Sequence, residues 1–228
     1  MSEEKEIKIK LTNLSLDRFI ERIVAKGFRK EKKIAQLDIY FDTKDWLLYE
    51  SLAALRLRIV NGKDHSFSFK KIFYTPHRNN HYFVEEIETH APFNNLSKFS
   101  EIFNSIGVKY DGRPFASGRE ITDFLKNNNY FDEQKMPKIR SIFKRGSDEI
   151  VIDDVDKVGV IIELECKKHE PLEIVKEILL DSEWQRSLEG TSYIWLKNVK
   201  GLNSHIKNLE RFKDNPKWNV WKTDNFSP

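Results

Sequence analysis

Segments in which charged and apolar residues alternate recur along most of the chain, and they limit the folds that it can adopt. In the first of them, residues 4–11, one face of the predicted strand is charged and the other is apolar, because successive side chains of a β-strand point to opposite faces. Its charged members are Glu4, Glu6, Lys8 and Lys10. One such segment is typical of any half-exposed strand, whereas its repetition predicts a sheet with one apolar and one charged face.

The charged faces of the later strands use few residue types. Alternation returns in residues 53–60, 65–72, 80–90, 138–145, 148–154 and 159–167. The charged positions are Arg56, Arg58, Lys70, Glu86, Glu88, Lys138, Arg140, Lys144, Asp153, Glu163, Glu165 and Lys167. An antiparallel sheet with one wet side would explain the pattern through cross-strand ion pairs. The repeated Arg-x-Arg and Glu-x-Glu pairs favour a closed barrel, which has no sheet edges and whose lumen the charges would line.

A lumen lined by both signs of charge suits one class of ligand. Arg and Lys side chains bind phosphate oxygens, and Arg often does so through two parallel hydrogen bonds. Clustered carboxylates bind Mg²⁺ or Mn²⁺, hard cations that prefer oxygen ligands. Like charges repel strongly at the low dielectric of a confined space, so neither set is stable alone. The pattern therefore predicts nucleotide or polyphosphate chemistry.

Composition excludes several classes of protein. The 228 residues suit one domain, and 39% apolar residues suffice for a hydrophobic core. The 39 basic side chains are balanced by 36 acidic ones, which argues against a general nucleic-acid coat protein. The single Cys166 excludes an internal disulfide framework and a Cys-rich zinc site. The charged start is unlike a signal peptide and no apolar run approaches the ~18 residues of a membrane span, so a cytoplasmic protein without membrane contact is expected.

The remaining segments predict helices and connections. Helices are predicted at residues 15–27, 96–107, near 117–126 and from Pro171, and a further strand is predicted at 34–42. Ser15 is a suitable N-cap for the first helix, and Gly27 is a suitable end for it. Asn61-Gly62 predicts a tight hairpin turn. Outside the short helix, residues 108–134 are predicted to be irregular.

In their order along the chain, the charged segments resemble the motifs of the CYTH superfamily, the triphosphate tunnel metalloenzymes. The matching motifs are Glu4-x-Glu6-x-Lys8, Tyr40-Phe41-Asp42-Thr43, Arg56-x-Arg58, Lys70, Glu86-x-Glu88, Lys138-x-Arg140 and the block of Asp153, Gly159, Glu163 and Glu165. The chain departs from the family pattern at Glu85, where members often have Arg, and at Thr191, where they often have Lys. It also lacks the His-Phe pair that precedes the acidic motif in many class IV adenylate cyclases.

The resemblance implies an α+β fold, a closed eight-stranded antiparallel β-barrel that forms a tunnel with helices packed on the outside. It implies a triphosphate tunnel domain over residues 1–200, with an insertion near 107–135. Independently of the resemblance, an amphipathic pattern at residues 202–212 predicts that residues 201–228 form a helical C-terminal extension that packs on or near the barrel.

The resemblance also implies a role for each matching residue. The divalent metal, Mg²⁺ or Mn²⁺, is expected at Glu4, Glu6, Asp153, Glu163 and Glu165. The substrate phosphates are expected at Lys8, Arg56, Arg58, Lys70, Lys138 and Arg140. Tyr40 and Lys70 are expected to protonate the leaving group, and Glu86 and Glu88 to hold a water or add to the metal site.

The activity implied by the resemblance is a metal-dependent hydrolysis of a small triphosphate. The substrate would be inorganic tripolyphosphate, thiamine triphosphate or a nucleoside triphosphate, with an RNA 5′-triphosphate less favoured and DNA not expected. A class IV adenylate cyclase, which makes cyclic AMP from ATP, is the alternative on the same fold. A non-catalytic module that binds polyphosphate or nucleotide is the second alternative.

Overall fold

The computed structural model describes residues 5–75, 81–167, 169–187 and 191–201. The strands are β1 (Lys5–Leu11), β2 (Arg29–Asp42), β3 (Ala53–Val60), β4 (Lys63–Thr75), β5 (His81–His90), β6 (Phe131–Arg145), β7 (Asp148–Val155), β8 (Gly159–Cys166) and β9 (Trp184–Arg186). The helices are α1 (Leu16–Ala25), α2 (Leu47–Glu50), α3 (Leu96–Ser105), α4 (Gly118–Asn127), α5 (Pro171–Ile178) and α6 (Thr191–Lys200), with a 3-10 turn at Asp181–Glu183. No helix among these residues is both long and apolar enough to cross a membrane.

The strands form one sheet in the order β5-β4-β3-β2-β6-β7-β8-β1-β9. The described pairs β4–β5, β6–β7, β7–β8 and β1–β8 are antiparallel, so the α+β class is confirmed. The described sheet has nine strands rather than the predicted eight, because the short β9 pairs with the end of β1. Its strand order has two ends, β5 and β9, and closure into a barrel stays a prediction.

The chain divides into two compact units. Among the described residues, unit 1 comprises 5–37, 60–62 and 136–200, and unit 2 comprises 38–59, 63–135 and 201. The predicted C-terminal extension at 201–228 lies outside the described residues apart from residue 201. The predicted domain over residues 1–200 stays a prediction.

In unit 1, the apolar face of the sheet packs against α1 and α5. Its buried cluster contains Ile7, Ile9, Phe143, Ile150, Ile152, Ile162 and Leu164 from the strands, and Phe19, Ile23, Ile174, Val175 and Ile178 from the two helices. The Ser15 side chain accepts a hydrogen bond from the Arg18 amide, and Gly27 with a φ of +86° follows the helix end. The predicted first helix and its two ends are therefore confirmed.

In unit 2, the predicted insertion contributes to the hydrophobic core. The buried cluster joins Leu55, Leu57, Phe67 and Phe69 of β3 and β4 to Phe99, Ile102 and Phe103 of α3, and it includes Val108, Phe115, Ile121, Leu125 and Tyr130 from residues 107–135. Helix α4 approaches the sheet at Gly118, whose amide donates to the Asp64 carboxylate at 2.7 Å. A Cβ at Gly118 would lie 2.7 Å from Asp64 Oδ1 and 2.8 Å from Leu57 Cδ2, so a larger residue there would require the Asp64 and Leu57 side chains to shift.

Two strands extend beyond the predicted bounds. β2 begins at residue 29 rather than 34, and residues 29–33 are exposed and charged, so no apolar alternation marks them as a strand. β6 begins at residue 131, so the prediction that residues 131–134 form a loop is wrong. Gln134 is buried in this strand although it is polar, which breaks the expected pattern. The Asn61-Gly62 turn is confirmed, with φ values of 49° and 76° as this hairpin type requires.

Candidate active site

The charged face of unit 1 is assembled by the register of four neighbouring strands. Lys8 of β1 lies opposite Glu163 of β8, and Arg140 of β6 lies opposite Asp153 of β7. Residues directly opposite each other in an antiparallel pair share one face, with Cβ atoms about 4.5–5.5 Å apart. The register therefore brings two acids and two bases from distant parts of the sequence onto one surface.

On this face, two carboxylates accept hydrogen bonds from three cations. Arg140 grips Asp153 through two bonds, Nε to Oδ1 at 2.7 Å and the terminal nitrogen to Oδ2 at 2.7 Å. Lys138 Nζ lies 2.9 Å from Asp153 Oδ2, and Arg140 also reaches Glu163 Oε2 at 3.3 Å. Lys8 Nζ lies 3.3 Å from Glu163 Oε1. We call these five residues the Asp153 network.

The Asp153 network fixes the charges of its members. Burial acts to raise the pKa of Glu163, but Lys8 and Arg140 outweigh it and hold this pKa below its ordinary value. Burial likewise opposes ionisation of Asp153, whereas hydrogen bonds from Arg140 and Lys138 lower its pKa. Burial acts to lower the pKa of Lys8, and the charges of Glu163 and Glu6 raise it above its ordinary value. Lys8 is therefore a cation at neutral pH and suits phosphate binding rather than proton abstraction.

The charged face of unit 2 contains a second set of ion pairs. Arg58 grips the buried Asp38 through two bonds, of 2.8 Å from Nε and 3.1 Å from a terminal nitrogen. A terminal nitrogen of Arg56 lies 3.5 Å from Glu86 Oε1 and 3.6 Å from Glu88 Oε1. A further contact of 2.9 Å joins Lys70 Nζ to Glu86 Oε2. All five predicted charged residues of this unit thus lie in contact with an opposite charge.

Tyr40 belongs to the same part of unit 2. Burial and the neighbouring Asp38 charge raise the pKa of its phenol, although Arg56 and Arg58 oppose this and Arg56 hydrogen-bonds to it. The phenol therefore keeps its proton at neutral pH. A protonated phenol beside a guanidinium can donate its proton to a leaving group, because the cation stabilises the phenolate that results.

The structure assembles the predicted residues within each unit. Unit 1 brings together Glu6, Lys8, Lys138, Arg140, Asp153 and Glu163, and unit 2 brings together Tyr40, Arg56, Arg58, Lys70, Glu86 and Glu88. Glu165 faces Glu6 across the β1–β8 ladder, and Glu4 lies outside the described residues.

Two acidic residues on these faces were missed by sequence reasoning. Asp38 is fully buried and accepts a hydrogen bond from Arg58. It lies two residues before Tyr40 in the predicted strand, so both share a face, and this spacing could have identified it. Glu149 of β7 lies opposite Glu165 and 3.3 Å from Lys144 Nζ. It precedes three consecutive apolar residues, 150–152, so alternation alone did not mark it as a site residue.

The acidic residues of unit 1 suit a hard divalent cation that a substrate also coordinates. No group of three or more acidic, His or Cys side chains arranged to hold a metal occurs in the described part of the chain. Mg²⁺, however, is usually held by one or two carboxylates together with substrate phosphates. Glu6 and Glu165, directly opposite each other in the ladder, supply such a pair of oxygen donors. Asp153 instead directs both oxygens at basic side chains, and its predicted metal role stays a prediction.

A protein-family model, the CYTH domain, matches residues 2–192. The chain belongs to the CYTH family. The match spans both units and every residue that was predicted for the site. The resemblance found in the sequence motifs is thereby confirmed.

Proteins from several organisms are similar to this chain. The protein named "Putative adenylate cyclase" of Methanocaldococcus jannaschii is 28% identical over 182 residues, which cover 77% of this chain and 87% of that protein. A solved structure of a "putative adenylyl cyclase" from Hippeastrum has a TM-score of 0.56 at 19% identity, covering 85% of this chain and 95% of that chain. The PH1012 protein of Pyrococcus horikoshii has a TM-score of 0.52 at 19% identity, covering 82% and 96%. At these identities the two structures show the CYTH fold alone.

Proposed function

We propose that this CYTH protein hydrolyses a small triphosphate in a reaction that depends on Mg²⁺ or Mn²⁺. The observation that carries the proposal is the Asp153 network, in which Lys8, Lys138 and Arg140 are held on one surface by buried carboxylates. Three cations fixed in this way suit a ligand with several anionic oxygens in a row. The closed barrel of the family, with the substrate in its lumen, is part of this proposal.

In this mechanism the basic residues position the phosphates and neutralise their charge. Phosphoryl transfer needs little covalent chemistry from a protein, and most of the catalysis comes from placement and electrostatic stabilisation. Asp153 orients the guanidinium of Arg140 through two hydrogen bonds, so the cation is arranged before the substrate arrives. Arg56, Arg58 and Lys70 act in the same way in unit 2, where each is already oriented by a carboxylate.

Proton transfer to the leaving group is assigned to Tyr40. Its raised pKa keeps the phenol protonated, and the hydrogen bond from Arg56 favours the phenolate that forms when the proton leaves. Lys70, the other predicted donor, contacts Glu86 at 2.9 Å and remains a candidate for the same step. We assign Glu86 and Glu88 the orientation of Arg56, with the predicted role in holding water as a further part of the proposal.

We propose that Glu6 and Glu165 hold the divalent ion. Glu4, Asp153 and Glu163, for which the family resemblance implies the same role, complete the proposed set of metal ligands. When bound, the ion supplies charge neutralisation at phosphate oxygens and lowers the pKa of a bound water.

Glu165→Gln keeps the size of the side chain and removes its charge. We expect this change to lower phosphate release at least about a hundredfold while the circular dichroism spectrum stays that of the wild type. Glu173→Gln, on the exposed first turn of α5, is the matched control.

A panel of substrates tests the proposed activity. Inorganic tripolyphosphate, thiamine triphosphate and ATP are each incubated with Mg²⁺ or Mn²⁺, and phosphate, pyrophosphate and cyclic AMP are measured. Phosphate release from at least one substrate is the expected result. Binding without turnover under every condition would contradict it and support the non-catalytic alternative.

Adenylate cyclase is the second candidate, and the name of the Methanocaldococcus jannaschii relative favours it. The Hippeastrum protein, however, is described as a putative adenylyl cyclase with a dominant triphosphatase activity. That description supports ranking hydrolysis first in a chain of the same fold. Cyclic AMP with pyrophosphate as the products from ATP would reverse the ranking.

A further inference from the structure

Four buried hydrogen-bond donors of unit 2 have no hydrogen-bond partner among the described residues. They are Arg56 Nε and the hydroxyls of Ser66, Ser68 and Thr89, and the proposed function uses none of these four groups. Ser66 and Ser68 are each 1% exposed, so bulk water does not solvate them. Buried polar groups are nearly always paired, so each buried donor without a partner requires an explanation, and binding of a ligand is one such explanation.

Arg56 Nε and the two serine hydroxyls lie on the same side of the sheet. Ser66 and Ser68 alternate along β4 with Phe67 and Phe69, which point into the hydrophobic core of unit 2. Arg56 alternates along β3 with Leu55 and Leu57 of that core. Because alternate residues of a strand face opposite sides, the serines and Arg56 lie on the charged face.

Ser68 also lies beside residues already placed in the site, and Ser66 is two residues before it on the same face of β4, directly opposite His90. Ser68 is directly opposite Glu88 in the β4–β5 ladder, and Lys70, two residues further along β4, is directly opposite Glu86. Arg56 contacts both glutamates through a terminal nitrogen, at 3.5 Å and 3.6 Å. The unpaired donors therefore border the ion pairs of Arg56 and Lys70.

The chemistry of these donors indicates what would bind them. The Nε–H of an arginine can only donate, so its partner must be an acceptor. The nearby carboxylates of Glu86 and Glu88 already form ion pairs with a terminal nitrogen of Arg56, and Glu86 also forms one with Lys70. A group with several acceptor oxygens and negative charge suits a face where two cations and two hydroxyls point the same way.

We propose that Ser66, Ser68 and Arg56 Nε form a subsite that donates hydrogen bonds to phosphate oxygens of the substrate. This inference rests on the proposed function and adds to it two neutral donors that no charged motif identifies. The hydroxyls increase the number of hydrogen bonds to phosphate without adding positive charge. No further carboxylate is then needed to balance them when the protein is without substrate.

The test measures affinity rather than turnover. Inorganic tripolyphosphate is titrated into the full-length protein by calorimetry in the presence of EDTA, with Ser66→Ala, Ser68→Ala and the double variant. Loss of one hydrogen bond to a charged ligand is expected to weaken binding about tenfold, and the double variant should lose more.

Thr89→Val is a matched control. The Thr89 hydroxyl is also buried and without a partner among the described residues, and it lies next to Glu88 in sequence. It faces the other side of the sheet, however, because Thr89 is directly opposite Phe67 of the core. Its replacement should leave the affinity for tripolyphosphate unchanged.

Thermal unfolding separates a binding role from a structural one. Removing a buried hydroxyl that has no partner should leave Tm unchanged or raise it, so the serine variants should bind tripolyphosphate more weakly without unfolding at a lower temperature.

Wild-type affinity in the double variant, or an equal loss of affinity in Thr89→Val, would overturn the subsite. A wild-type protein that binds tripolyphosphate but never hydrolyses it would contradict only the hydrolase, whereas one that does not bind it would contradict both proposals.

Discussion

The charged faces of the two units both contain a buried aspartate paired with an arginine, but they differ in how far their glutamate side chains are exposed. Each unit has an aspartate, Asp153 or Asp38, with its side chain at most 1% exposed and gripped by an arginine through two hydrogen bonds. In unit 1 the Glu163 side chain is 12% exposed, whereas in unit 2 those of Glu86 and Glu88 are 33% and 29% exposed. The Asp153 network of unit 1 is thus more buried than the glutamates of unit 2, although Glu6, outside that network, has a side chain that is 39% exposed.

The difference indicates two ways of preparing a protein for an anionic ligand. In unit 1 each buried charge has its counterion, so the face is stable and its cations are already oriented. On the charged face of unit 2, Arg56 Nε and the hydroxyls of Ser66 and Ser68 have no partner among the described residues, which costs stability in the free protein and leaves these donors ready for a ligand.

Asp153→Asn should have the largest effect on stability. The change removes the charge that Arg140 and Lys138 share and leaves two cations in a buried position. Breaking a buried ion pair from one side typically costs about 3–5 kcal/mol of unfolding free energy. Urea denaturation measures this cost, and Asp154→Asn, an exposed neighbour on the other face of β7, is the control. Equal stability of the two variants would contradict the assignment of Asp153 as the centre of the network.

The two sets of glutamates should respond differently to the same substitution. Glu163→Gln removes the charge that faces Lys8 and Arg140, and we expect a loss of about 1–3 kcal/mol. Glu88→Gln alters a more exposed glutamate with a longer contact to Arg56, and we expect a change below about 1 kcal/mol. The difference between their urea midpoints measures the contrast directly. If Glu88→Gln proved the more harmful, the contrast between the units would be reversed.

Acid should lower the free energy of unfolding, because it protonates the two carboxylates of the Asp153 network. The pKa values of Asp153 and Glu163 lie below their ordinary values of 3.8 and 4.5, because the basic side chains favour the ionised forms despite burial. A carboxylate of this kind stabilises the fold above its unfolded pKa, and this contribution is lost as the pH falls through the folded pKa.

The expected result is a free energy of unfolding that decreases as the pH falls below about 4.5. Urea midpoints measured between neutral pH and about pH 2.5 give the slope. Glu163→Gln should flatten it, because one of the two responsible groups no longer titrates. An unchanged slope in that variant would show that the loss of stability in acid arises elsewhere.

Much of the site could be predicted because each strand reveals its faces locally. Arg56, Arg58, Lys138 and Arg140 were assigned to the charged face from alternation alone, and the structure confirms that face for each of them by its contacts with acids. The buried Asp38 and the paired roles of Asp153 were not predicted. The choice of partner for a carboxylate depends on the neighbouring strand, which the local pattern does not specify.

The core of unit 2 likewise depends on contacts that the local sequence pattern does not specify. Residues 107–135 were predicted to be an insertion that is irregular outside a short helix near 117–126. That helix is present as α4, but the burial of its Ile121 and Leu125, and of Phe115 outside it, in the core beside α3 was not predicted. Phe115 and Phe99 have ring centroids 5.0 Å apart. The polar residues between these positions hide them in the sequence, because burial depends on which surfaces α4 meets after folding.

The sequence by itself determined the type of each strand face and the set of charges on it, because side-chain alternation is a property of the extended backbone. It also determined the family, through motifs whose order along the chain can be read without a structure. The tertiary structure decided which acid meets which base, since the ladders between β1 and β8 and between β6 and β7 fix the register of residues far apart in the chain. It also decided that Ser66 and Ser68 are buried donors without a described partner, because burial and pairing exist only in the folded protein.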